Sequence, residues 1–208
     1  MNEDFYVGYL PKMPEKLAGF IKPVTASLFV ACIALAAIFW AGQKPFAKSF
    51  FEFGNVREFE GTIEARPVPF LLVETGKNTD GLPFFERLPL VGEGKHGVGN
   101  DVKDLDGQKI RLKGKLVYRD RLRMIEVVSG SAEKIAANNG LAGKDAENLG
   151  NYTLKGEIVD SKCYLGVMNP GESKPHRDCA AACLRGGIPP LFIVKDAAGN
   201  RSELWLLP

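Results

Sequence analysis

Gln108-Lys-Ile-Arg-Leu-Lys-Gly-Lys-Leu-Val-Tyr-Arg-Asp-Arg-Leu-Arg-Met-Ile-Glu-Val-Val128 decides the fold class. Ile110, Leu112, Leu116 and Tyr118 alternate with Lys109, Arg111, Lys113 and Lys115. A period of two puts the apolar set on one face and the cations on the other, which is a half-buried strand. Arg119-Asp120-Arg121 interrupts the alternation and predicts a tight turn into Met124-Ile-Glu-Val-Val128. The stretch is therefore read as a long β-hairpin.

Similar patterns lie on both sides. Phe59-Glu-Gly-Thr-Ile-Glu-Ala65 and Phe70-Leu-Leu-Val-Glu-Thr75 read as strands, punctuated by Pro67 and Pro69. Leu88-Pro-Leu-Val-Gly-Glu-Gly94 follows, then a glycine-rich loop with His96, read as a surface residue. Beyond Asn138-Asn139-Gly140 come Tyr152–Asp160, Leu191–Lys195 and Glu203–Leu207, with Asp196–Arg201 as a turn. Phe59-Glu-Gly-Thr-Ile resembles Leu154-Lys-Gly-Glu-Ile, so each half opens alike. The expectation is a mainly β chain with one N-terminal transmembrane helix, two small OB-like barrels in tandem and a short helix at 176–185.

The N-terminal part differs. No charge occurs between Lys22 and Lys44. The intervening stretch spans roughly 30 Å as a helix, the thickness of a bilayer core. Pro23 suits a first helical turn, and Phe39 and Trp40 suit an interfacial belt. No polar face interrupts it, which argues against a buried soluble helix. The long, partly acidic leader argues against a cleaved signal peptide. Lys12, Lys16 and Lys22 precede the span and Lys44, Lys48 and Arg57 follow it, so loop charge alone leaves its direction tied. The larger part follows the span, and its cysteines suit an oxidising compartment.

This gives a cytoplasmic N-terminus (1–22), a transmembrane helix (23–43), a helical juxtamembrane stalk (44–55), a first β domain (56–130), a linker (131–150) and a second, Cys/His-containing β domain (151–208). The expected location is the bacterial inner membrane, single-pass, with the C-terminal part periplasmic. The chain has 208 residues and a formal net charge of +2, so no global field favours nucleic acid. The basic hairpin (Lys109, Arg111, Lys113, Lys115, Arg119, Arg121, Arg123) has little aromatic interleaving and reads as a solvated face. Phosphate-binding loops, Ser-His-Asp order and paired acids at catalytic spacing are absent, and no catalytic residue is assigned.

Chemistry concentrates near the C-terminus. Of four cysteines, three lie in Asp160-Ser-Lys-Cys163-Tyr-Leu-Gly and His176-Arg-Asp-Cys179-Ala-Ala-Ala-Cys183. On a helix His176, Cys179 and Cys183 share one side. Good helix formers fill the run, and Gly186-Gly187 stops it. Three readings stay open. Cys163, His176, Cys179 and Cys183 suit tetrahedral zinc, or copper(I) with Met168. Alternatively Cys163 forms a disulfide with Cys179 or Cys183 and leaves one thiol. The third reading is thiol redox chemistry, with a thiol near the helix start, beside Arg177 and His176, lowered in pKa.

The same residues resemble a loosely described group of bacterial cell-envelope domains. These share a strand ending Asp-x-x-Cys-Tyr-Leu, then His-x-x-Cys-Ala-x-x-Cys and Gly-x-Pro. The resemblance covers about 40 residues and implies that Cys163, His176, Cys179 and Cys183 act together. It carries no established activity. The expected function is a membrane-anchored periplasmic accessory or binding subunit of an envelope complex that handles electrons or metal. A thiol-disulfide or copper/zinc-handling protein is the alternative, and an OB-type nucleic-acid binder a weaker one. Expected partners are membrane lipid through residues 23–43 and other envelope proteins, with no nucleic acid.

Overall fold

The computed structural model describes residues 13–43, 48–77, 79, 81, 83–136 and 147–207. The chain divides into two compact units, 1–45 and 46–208. Residues 1–12, 44–47 and 137–146, parts of the expected N-terminus, stalk and linker, lie outside the described residues.

Among its described residues the first unit is one helix, α1 (Glu15–Gly42), long and apolar enough to cross a membrane. It begins earlier than the apolar run, so Pro23 lies inside it and not in its first turn. Proline removes one backbone hydrogen bond there, which a 28-residue helix survives.

The second unit is mainly β. Its strands are β1 (Ser49–Phe51), β2 (Arg57–Glu64), β3 (Phe70–Lys77), β4 (Pro83–Val91), β5 (Lys109–Arg119), β6 (Leu122–Val127) and β7 (Glu133–Ala136) in one sheet. The ring β5-β2-β3-β4-β6 closes because β5 pairs with both β2 and β6, giving a five-stranded OB-like barrel. β5 changes partner at Gly114, which faces Arg57 on β2 and Val127 on β6. A Cβ there would collide with the Ile125 side chain, so glycine permits the corner. Inside lie Ile63, Leu71, Leu90, Ile110, Leu112 and Ile125, plugged by Val98 and Val102.

The hairpin is as read: Arg119 pairs with Leu122 around Asp120, whose φ is 52°. Three of its cations meet acids. Arg111 meets Glu60 at 2.5 Å, Arg123 meets Glu86 at 2.7 Å, and Lys115 meets Glu93 and Glu126. Arg119 is buried over the Tyr164 ring at 4.0 Å.

Within the juxtamembrane stretch read as a helical extension, stalk or linker, 49–51 form β1 on the edge of β5. The reason is packing. Phe51 joins an apolar cluster, and Phe50 lies 5.8 Å from the Tyr118 ring. The second β segment does not close on itself. β8 (Gly156–Asp160), β9 (Pro190–Lys195) and β10 (Arg201–Trp205) form a three-stranded antiparallel sheet in the order β10-β9-β8. Three short strands cannot curl into a ring, so this sheet covers its core with the barrel and with α2 (Arg177–Arg185). One cluster joins Val91, Val117 and Met124 of the barrel to Cys163, Leu165, Cys183 and Ile188.

Candidate metal centre

The cysteine segment leaves β8 at Asp160 and enters a π-helical turn, Cys163–Val167. Asp160 starts this turn by capping it: its Oδ1 accepts the Cys163 amide at 2.8 Å. The chain then loops out through Met168 and returns by a 3-10 turn at Lys174–His176 into α2. Met168 is 44 % exposed.

Two groups of donors result, and they share Cys163. The sulfurs of Cys163, Cys179 and Cys183 all lie within 4.8 Å of one another. So do the ligand atoms of Asp160, Cys163 and His176. Cys163, Cys183, Asp160 and His176 are buried, and Cys179 is half-buried. His176 Nε2 stands 2.7 Å from Asp160 Oδ2. The ring also lines an open apolar groove between β8 and α2, walled by Ile158, Val159, Ala180 and Leu184. Cys179 and Cys183 do share one face, because a 3.6-residue period aligns positions four apart.

A disulfide is not part of this arrangement. Cys32, Cys163, Cys179 and Cys183 are free thiols. Burial raises two of these thiols. Burial first, then the Asp160 charge, pushes Cys163 up. Burial and the same carboxylate push Cys183 up to about 11. His96 is exposed, as read from its glycine-rich loop.

The neighbouring Lys162 was not singled out in sequence, yet it is buried. Its ammonium meets Glu126 Oε2 at 2.5 Å and the carbonyls of Gly92 and Gly94, each at 2.7 Å. It bolts the Cys163 turn to the barrel. A second seam lies at the end of α2, where the Gly97 amide donates to the Gly186 carbonyl at 2.9 Å.

The raised thiols carry an expectation for the metal-free chain. At pH 8 a group titrating near 11 is about 0.1 % thiolate, so iodoacetamide should modify Cys183 far more slowly in the folded chain than in urea. Unfolding frees this thiol to ionise near 9, whereas the folded state holds its proton to about 11. Stability is therefore intact below pH 9 and declines from pH 9 to 11, as a melting series would register. Equal alkylation rates in both states would contradict the burial.

No protein-family model matches the chain, and comparison with curated proteins and with solved structures finds no match.

Proposed function

We propose that the chain is a single-pass protein of the bacterial inner membrane whose periplasmic β unit binds one soft metal ion through Cys163, Cys179 and Cys183. In this reading it is an accessory or binding subunit of an envelope complex. The observation that carries the metal is the sulfur triangle: three thiols within 4.8 Å of one another, unpaired by any disulfide. A tetrahedral zinc with Zn–S near 2.3 Å sets its sulfurs about 3.8 Å apart. The triangle needs only a small contraction to hold such an ion. Zinc and copper(I) both suit thiolate donors. The apolar α1 supports the anchor, while its flanking lysines do not fix the side. The resemblance of the Asp160–Pro189 stretch to cell-envelope domains supports the same compartment.

The full-length chain, purified in detergent without oxygen, tests this. Native mass spectrometry should find one zinc or copper per chain, and Cys183→Ser should abolish it. After denaturation with a chelator, all four cysteines should titrate as thiols. A count of two with no bound metal would replace the metal site by a disulfide. The subunit role predicts co-purification of other envelope proteins, and a chain that always isolates alone would refute it.

A further inference from the structure

This inference rests on the soft-metal reading and concerns the ligand that completes it. Three sulfurs leave a tetrahedral cation one position short. His176 is 1 % exposed. Its Nε2 is engaged with Asp160 Oδ2 at 2.7 Å, while its Nδ1 is buried without a hydrogen-bond partner. With the imidazole neutral and the carboxylate ionised, Nε2 donates to Asp160 and leaves Nδ1 as an acceptor. Burying such an acceptor unpaired costs as much as a lost hydrogen bond. One ring nitrogen of the same residue lies within 4.8 Å of the Cys163 sulfur, in a group that shares only Cys163 with the three sulfurs.

Asp160 does two things at once. Oδ1 holds the backbone of Cys163 at 2.8 Å, and Oδ2 holds the ring of His176. One carboxylate therefore sets the position of a sulfur ligand and the tautomer of an imidazole. A metal-bound histidine is held in this way, its far nitrogen donating to a carboxylate that orients the ring. We propose that His176 Nδ1 is the fourth ligand and Asp160 its positioning residue, making a three-sulfur, one-nitrogen site for zinc and not a sulfur-only site for a cuprous ion. Asp160 touches no metal in this scheme. Its effect reaches the ion through His176 and through the Cys163 turn.

Cobalt(II) is the probe, since its spectrum reports sulfur and nitrogen donors while it sits where zinc would. The metal-free full-length chain in detergent should take up one cobalt with thiolate charge-transfer bands and the strong visible bands of four-coordination. His176→Ala should weaken the visible bands, keep the charge transfer, and cost at least 100-fold in zinc affinity. His176→Cys should restore a four-coordinate spectrum, shifted by the extra sulfur. Asp160→Asn should cost 10- to 100-fold in zinc affinity with all cobalt–sulfur bands kept. X-ray absorption of the zinc-loaded chain should find one nitrogen in the first shell. A His176→Ala chain with unaltered spectrum and affinity, or a zinc shell lacking nitrogen, overturns the proposal. Should Asp160→Asn fail to fold by circular dichroism, the His176 pair decides alone. Capture of cuprous ion by three sulfurs, indifferent to His176, would remove this inference and leave the metal reading standing. Binding of no metal at all would remove both.

Discussion

Lys162→Met is expected to lower the unfolding free energy of the β unit by about 3 kcal/mol, the low end for breaking a buried ion pair. The side chain is 3 % exposed and its partner Glu126 6 %. Removing the ammonium strands a buried carboxylate and the Gly92 and Gly94 carbonyls together. Lys115, at 3.2 Å from Glu126, remains as a second cation and holds the loss to that low end. Denaturation followed through Trp205, which packs on two of the apolar clusters, would report it. For a unit of this size the melting temperature should fall by roughly 6–12 °C. Adding Glu126→Leu should recover much of the loss, since an apolar pair no longer has an unmatched charge to bury. Unchanged stability of Lys162→Met would mean that the ammonium is wet and the turn is held by other contacts.

Gly186→Ala should be nearly as damaging, at about 2–3 kcal/mol, the range for forcing atoms into a packed contact. Its φ of −77° suits any residue, so backbone freedom is not the reason. A Cβ there would overlap the Lys95 carbonyl oxygen, a backbone atom that cannot swing aside. The loop would have to leave α2, breaking the Gly97 to Gly186 hydrogen bond. Cys183 lies three residues earlier, so the same substitution should weaken the proposed metal capture as well as lower the melting temperature. Wild-type values for both would show that the loop moves freely. The adjacent Gly187, at φ 92°, is a different case, where the left-handed backbone itself favours glycine.

Much of the architecture is legible because it rests on local pattern. The β5–β6 hairpin follows from alternation and a turn, and α2 from its alanines and the glycine pair that ends it. The echo between Phe59-Glu-Gly and Leu154-Lys-Gly also has a physical basis. Cβ atoms on Gly61 and Gly156 would strike the carbonyls of Leu72 and Ile193 on their neighbouring strands. β1 and β7 escape notice because strands of three and four residues show too little periodicity. Likewise, nothing local says that the second segment stops at three strands.

The site divides in the same way. The four ligand candidates stand out by residue type and spacing. Asp160 and Lys162 look like ordinary charged residues at a strand end. Only the return of the chain at His176 and the arrival of Glu126 from β6 reveal what they hold. The raised thiols depend on burial, which spacing does not encode.

Cys163 and Cys183 share their cluster with Val91, Val117 and Met124, which belong to the barrel. The thiol trio is consequently not a portable motif. Grafted onto another scaffold, or released as a peptide of residues 151–208, it would lose the wall against which its sulfurs converge. On the proposed metal reading, apolar substitutions at those three barrel positions become the natural dial for affinity, with every proposed ligand left in place.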